Sequence, residues 1–221
     1  MNGIMSKIHL ELLDKKRQEV FHKLSYFKKD GYLAGGTALA LQINHRRSVD
    51  FDIFIDKPIS KNFKLKVKKI FGAVNFYINS SDQISFNIKE GIGVTFIWYY
   101  YPKISSLVTT NSISLASVFD IAADKAETLG RRAVWRDYVD LFFLLKWRIL
   151  SLEQIIKLAK KKFRGDFVEI QFLEQLPYFA DLQKTPVEFI KEKYSDDEIK
   201  AFLEKEVEVY IRKILPKTKA K

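Results

Sequence analysis

Gly35-Gly36-Thr37 stands thirteen residues ahead of Asp50-Phe51-Asp52, and these are the residues of the chain whose types and spacing point most directly to chemistry. Paired glycines admit a backbone turn that can come close to a ligand, and a helix opening behind such a turn attracts anions through its N-terminal amides. The two aspartates fall two apart in Val49-Asp50-Phe51-Asp52-Ile53-Phe54-Ile55, so one face of a strand carries both carboxylates and the other carries apolar side chains. Like charges placed so repel, and a divalent cation between them is the natural compensation, with magnesium the best fit to oxygen ligands. A phosphate cradle beside a metal pair would serve nucleotide chemistry. Taken alone, the Asp-Phe-Asp triplet reads equally as a solvated edge strand after a glycine hairpin. The order strand, glycine turn, helix, acidic strand favours the metal reading.

Those residues need elements to hold them. Tyr32-Leu33-Ala34 reads as a short apolar strand leading into the turn, and Thr37-Ala38-Leu39-Ala40-Leu41 as the helix behind it. Residues 7–29 are expected as one bracing helix, with Leu13, Val20, Phe21, Leu24 and Phe27 on its apolar face. Ser60 is an N-cap for a basic helix ending at Gly72, whose Lys64, Lys66, Lys68 and Lys69 would either touch nucleic acid or keep the helix soluble. Strand-like runs at 74–78, 84–89 and 93–101 extend the sheet, and Tyr99-Tyr100-Tyr101 at its end reads as edge packing or as a base-stacking platform. From Ser117 the pattern is helical. One helix runs to Leu129 with Gly130 as its stop and another over 134–146, while Ser151, Thr185-Pro186 and Ser195 open three more. Residues 216–221 read as a frayed basic tail. This organisation predicts an α+β class, with a sheet-bearing portion over 1–115 and a helical C-terminal portion over 116–221.

Composition narrows the function classes. A chain of 221 residues, 47% hydrophobic, can bury a proper core. It has no cysteine, which removes disulfides, thiolate zinc sites and cysteine nucleophiles and agrees with a reducing cytoplasm. No secretion signal and no apolar run near twenty residues is present, so neither export nor membrane spanning is expected. The net charge of +11 is uneven. Residues 1–164 hold 28 Lys and Arg against 15 Asp and Glu, residues 165–208 hold 5 against 12, and residues 209–221 hold 5 against none. The positive surplus lies with the candidate motifs and would draw in a polyanion such as RNA. A lysine-rich solvated surface explains the same total.

The run over 31–54 resembles the first motif of the AbiEii/AbiGii toxin family of nucleotidyltransferases through Tyr32-Leu33-Ala34-Gly35-Gly36-Thr37-Ala38-Leu39-Ala40-Leu41, His45-Arg46-Arg47-Ser48 and Asp50-Phe51-Asp52-Ile53-Phe54. A second block is similar to the family's later motifs: Asp120-Ile121-Ala122-Ala123-Asp124-Lys125, then Arg132, then Arg136-Asp137-Tyr138-Val139-Asp140-Leu141. The resemblance implies a nucleotidyltransferase-like mixed sheet, related to polymerase β-like enzymes, flanked by helices. It implies a toxin that transfers a nucleotide from a nucleoside triphosphate to RNA, with tRNA the expected acceptor, and a cognate antitoxin as partner.

Under that resemblance Asp50 and Asp52 bind Mg2+, Gly35, Gly36, Thr37 and Ser48 line the phosphate loop, and Lys125 and Arg132 meet the triphosphate. Asp137 then serves as general base or positions Lys125 or Arg132. Without the resemblance, Lys125 reads as a solvent-facing lysine and Asp137 as a helix ion pair with Arg132 or Arg136. One departure is visible. Polymerase β-like sites often carry a third carboxylate on a neighbouring strand, and Thr95 stands in that place, so a strand-borne third ligand is either absent or replaced from elsewhere, and a single magnesium held by Asp50 and Asp52 stands as an alternative to two metals. Two further readings therefore stand beside the first: nucleotidyl or phosphoryl transfer to a protein, and a catalytically impaired binding module of the same fold.

Overall fold

The computed structural model describes residues 7–88, 91–180, 182 and 185–215. Two compact units divide the chain: Met1–Ile121 with Glu188–Lys191, and Ala122–Val187 with Glu192–Lys221.

The first unit is built on a five-stranded mixed sheet in the order β1-β2-β5-β4-β3, with β1 Gly31–Ala34, β2 Phe51–Ile55, β3 Phe76–Asn79, β4 Gln83–Asn87 and β5 Gly93–Trp98. Only β2 and β5 are parallel; the other neighbours run antiparallel. Its helices are α1 Lys15–Lys23, α2 Gly35–Ile43 and α3 Lys61–Phe71.

Strand period divides the sheet into two chemically distinct faces. Ile53 pairs with Phe96 and Phe96 with Ile84, and these side chains are fully buried. Phe27, Phe63 and Phe71 pack onto that face, with ring centroids 4.8 Å (Phe27 to Phe96), 5.2 Å (Phe63 to Phe96) and 5.4 Å (Phe71 to Phe86). Each such burial is worth roughly 1.5–3 kcal/mol, which makes this aromatic layer the platform that holds β2 in place. The opposite face carries the row Ala34, Asp52, Thr95 and Ser85, one residue from each of four strands.

α3 therefore lies over the face away from Asp52. Its Lys66 pairs with Asp30 at 2.6 Å and Lys68 sits over the Phe76 ring, so these lysines serve the fold rather than the carboxylate face. The helix is bounded as its sequence predicts, by Ser60 accepting from the Phe63 amide and by Gly72 at a φ of 88°.

The single helix expected over 7–29 is instead three pieces: a 3-10 turn at Leu10–Leu12, α1, and a 3-10 turn at Leu24–Phe27. Asp14 causes the break. Its carboxylate accepts from the Arg17 amide and so makes an N-cap where a continuous helix would need an interior residue. That amide, together with the Arg17 side chain, holds the Asp14 carboxyl below its ordinary range. The apolar face is as expected, with Leu13, Val20, Phe21, Leu24 and Phe27 all buried. Strand bounds also differ at the ends: β5 stops at Trp98 rather than 101, and β4 at Asn87. Lys89 and Glu90, near the expected end of the 84–89 run, lie outside the described residues, as does the 216–221 tail.

The second unit is helical: the part of α4 (Val118–Leu129) from Ala122 onward, α5 Trp135–Lys146, α6 Leu152–Phe163, α7 Glu169–Gln175 and α8 Asp196–Ile214. α5 is buried at ten of its positions, and Phe142 meets Phe202 of α8 at 5.1 Å. Ser151 and Ser195 each form the reciprocal cap that their sequences predict. The Ser195 amide donates to Glu198 and holds that carboxyl below its usual range.

Thr185-Pro186 opens no helix. Residues 185–188 have no regular structure, and Glu188–Lys191 belongs to the first unit. There Phe189 bridges Arg46, the Arg47 amide donates to the Glu188 carbonyl at 2.8 Å, and the Ile190 amide donates to the His45 carbonyl at 3.1 Å. Backbone groups that a helix would have satisfied internally are satisfied by residues 45–47 instead.

Candidate active site

The β1–α2 turn and the start of β2 form one constellation in the first unit. Register places Ala34 opposite Asp52, so the residue that follows Ala34 meets the Asp52 side chain. Gly35 has φ of 65°, and a Cβ there would lie 2.8 Å from Asp52 Oδ2. Both facts require glycine: the left-handed backbone penalises other residues, and the carboxylate leaves no room for a side chain. At Gly36 a Cβ would stand 2.5 Å from Arg46 Nη2 and 3.3 Å from Ser48 Oγ. The Thr37 hydroxyl is the donor toward both the Asp50 carbonyl and, at 2.9 Å, Ser48 Oγ, sharing its one proton between the two acceptors. These contacts tie Thr37 and Ser48, beside the glycine turn, to the first aspartate. Arg17 adds a second tie, donating from Nε to the Val49 carbonyl at 3.2 Å.

Asp50 directs its carboxyl toward the start of β5, with Oδ1 2.9 Å from where a Cβ on Gly93 would be. Thr95 is the β5 register partner of Asp52, the position at which a third carboxylate is expected, and its hydroxyl lies 3.1 Å from Ser85 Oγ. Among the described residues no group of three or more His, Cys, Asp or Glu is placed to hold a metal. Two carboxylates are the oxygen set available here. That number suits magnesium, which commonly takes one or two carboxylates and completes its shell from water and substrate phosphates.

Gly35, Gly36, Thr37, Ser48, Asp50 and Asp52 are thus brought together. Arg46 joins them, and sequence reasoning did not single it out. The residue is 2% exposed, and its guanidinium lies against Gly36 and donates to the Arg47 carbonyl at 3.0 Å. The adjacent Arg47 instead pairs with Glu188 at 2.7 Å and is exposed. Two arginines between helix and acidic strand were the available signal, but which one turns inward depends on the pairing with residues 188–190.

Gly35→Ala is expected to lower stability by roughly 1–2 kcal/mol from the left-handed backbone alone, with more from displacing Asp52. Thermal unfolding of this variant against Gly72→Ala, a positive-φ glycine with nothing within 4 Å, separates the two contributions.

Lys125, Arg132 and Asp137 lie in the second unit. Lys125 is not solvent-facing: it is 8% exposed, forms a short ion pair with Asp137 and a second with Asp140 at 2.7 Å. The spacing of Asp137 and Asp140 puts both on one face of α5, where a single ammonium on α4 reaches them. Asp137 Oδ2 is buried without a hydrogen-bond partner, and the mostly exposed Arg132 stands 3.8 Å from it. A second buried cation, Lys162, pairs with Asp124 at 2.7 Å.

No family model matches the chain. The uncharacterized protein aq_aa25 of Aquifex aeolicus is 32% identical over 207 residues, covering 90% of this chain and 98% of that protein. The chain belongs to the aq_aa25 family. Among solved structures, the nucleotidyltransferase toxin MenT4 of Mycobacterium tuberculosis has a TM-score of 0.64 at 16% identity, over 90% of this chain and 83% of its own. JHP933 of Helicobacter pylori has a TM-score of 0.56 at 15% identity, over 91% and 94%. These likenesses establish a nucleotidyltransferase fold for this member of the aq_aa25 family: an α+β chain whose mixed sheet carries Asp52 beside a glycine turn.

Proposed function

We propose that the chain is a magnesium-dependent nucleotidyltransferase that transfers a nucleotidyl group from a nucleoside triphosphate to RNA, with tRNA as the acceptor, and that it acts as the toxin of an AbiEii/AbiGii-type pair with a cognate antitoxin. The observation that carries this reading is the approach of the Asp52 carboxylate to the positive-φ Gly35 at the start of α2. A turn with no room for a side chain beside the Asp52 carboxylate supports a reading in which phosphate and a metal ion meet there. Ala34 contributes no side-chain cap to α2, so no protein side chain at that position competes for the first-turn amides.

In this reading an RNA hydroxyl attacks the α-phosphorus, a new P–O bond forms, and the bond to pyrophosphate breaks. Asp50 and Asp52 hold the magnesium, which when bound neutralises charge on the phosphates. Gly35, Gly36 and Thr37 present amides to phosphate oxygens, Ser48 and the Thr37 hydroxyl keep the loop against Asp50, and Arg46 supplies fixed positive charge beside Gly36. The roles implied by resemblance for Lys125 and Arg132, contact with the triphosphate, and for Asp137, general base that takes the proton of the attacking hydroxyl or positioning of Lys125 or Arg132, belong to the same proposal. Nucleotidyltransferase and toxin are words that describe MenT4; they support this reading and do not replace its test.

Incubation of the purified protein with each α-labelled NTP and magnesium, with RNA and with protein acceptors in separate reactions, is expected to put label into RNA and to fail in EDTA. Label appearing in protein alone overturns the RNA assignment. Thr95 in place of a carboxylate favours one second reading, a fold that binds nucleotide without turnover. Saturable magnesium-dependent NTP binding by calorimetry with no transfer to any acceptor would establish it.

A further inference from the structure

The first unit carries a chain of aromatic rings that the proposed chemistry does not use. Phe54 follows Asp52 by two residues on β2 and projects from the same sheet face, roughly 7 Å further along at strand rise. It stacks on Tyr99 with centroids 4.0 Å apart and ring planes 20° apart, and it meets Tyr32 edge-on at 5.9 Å. The contacts continue from Tyr99 to Tyr101 at 5.6 Å, from Tyr101 to Tyr100 at 4.4 Å, and from Tyr100 to Trp98 at 6.3 Å. Lys103 places its ammonium 5.2 Å from the Tyr32 ring centroid. Tyr100 is 69% exposed, and Phe54, Trp98, Tyr99 and Tyr101 are partly exposed.

We propose that this ladder is a stacking platform for unpaired nucleotides of a single RNA strand, positioned to feed that strand toward Asp50 and Asp52. The inference rests on the RNA-acceptor reading and adds the feature that strand would need: unstacked bases rather than a duplex. Three observations fit that occupant. The ladder begins on the carboxylate face itself. It continues through six rings in contact, more than one mononucleotide base covers. It lies in a unit with 18 Lys and Arg against 11 Asp and Glu, a surplus that suits a polyanionic backbone. Exposed aromatic faces accept any base, so the platform selects for single-strandedness rather than sequence.

The test is fluorescence anisotropy without NTP, using a 12-nucleotide single-stranded oligoadenylate, an abasic oligonucleotide of equal length, and a duplex. Omitting NTP leaves the measurement independent of whether transfer chemistry occurs. The single strand is expected to bind at least about tenfold more tightly than the abasic chain, the magnitude one stacked base supplies. Tyr100→Ala/Tyr101→Ala should remove that advantage while leaving the abasic affinity unchanged, and Tyr100→Phe/Tyr101→Phe should retain it. Tyr100→Ala alone, at the most exposed ring, guards against loss of folding. Equal affinity for base-bearing and abasic chains, equal affinity for single strand and duplex, or an advantage that survives the double alanine change would each overturn the platform. Transfer to RNA that persists in the alanine variants with unchanged binding would overturn it while leaving the nucleotidyltransferase reading intact.

Discussion

Asp52→Asn is expected to reduce transfer of label from NTP to RNA by at least about a thousandfold, and to relieve any growth arrest the protein causes. The substitution is nearly isosteric, so the close approach to Gly35 at 2.8 Å and the register with Ala34 and Thr95 persist. What disappears is the negative charge proposed to bind the metal. Charge stabilisation of several kcal/mol in the transition state corresponds to about a factor of ten for each 1.4 kcal/mol, which sets the expected size. Thermal unfolding of the variant should stay within a few degrees of the parent, and magnesium should no longer strengthen NTP binding in calorimetry. Unchanged transfer would remove Asp52 from the chemistry and with it the metal assignment. A parallel Asp50→Asn variant is expected to be impaired as well. Its backbone carbonyl still accepts from Thr37, so that tie survives and the deficit reports the carboxylate alone.

Much of this constellation is legible in the chain because each part is dictated by local chemistry. Val49 to Ile55 alternates with period two, and in the structure Phe51, Ile53 and Ile55 are buried while Asp52 and Phe54 lie on the opposite face. Gly35 is demanded by a positive φ beside a carboxylate. Ser60, Ser151 and Ser195 cap helices where their short polar side chains can bond the next amides. The misreadings share a different cause. Asp14 splits the first helix because a capping residue overrides a continuous apolar stripe. Thr185-Pro186 has the local form of a helix start, yet the backbone just beyond it pairs with residues 45–47, about 140 positions earlier in sequence. The same long-range pairing selects Arg46 over Arg47 as the buried guanidinium, and no periodicity in an irregular stretch distinguishes two neighbouring arginines. Tyr99-Tyr100-Tyr101 shows a third case: its composition was plain, but only the ring geometry reveals that it extends from Phe54 on the carboxylate face.

Lys125→Met is expected to destabilise the second unit by about 3–5 kcal/mol, because it removes the ammonium that pairs with two buried carboxylates and leaves their charge less compensated. Asp137 and Asp140 have side chains only 6% and 0% exposed, so water cannot take over the role of the lost cation. Arg132 stands 3.8 Å from Asp137 and is more than half exposed, which makes it a weak substitute. In a chain of this size the loss corresponds to a drop in Tm of roughly 6–20 °C. Such a variant would lose activity through unfolding whatever the lysine does in catalysis. Lys125→Met/Asp137→Asn/Asp140→Asn removes both carboxylate charges together with the cation and should recover most of the stability, since replacing buried ionic groups together with neutral ones is far less costly than removing one partner alone. The activity of that recovered protein then decides what Lys125 is for. Restored transfer would make the lysine a structural counter-ion and remove it from the triphosphate contacts. A protein that melts like the parent but transfers nothing, while still binding magnesium through Asp50 and Asp52, would place the ammonium or its aspartate partners in the chemistry. Lys125→Met/Asp140→Asn, which keeps Asp137 charged, then tells these apart through its coupling in a double-mutant cycle.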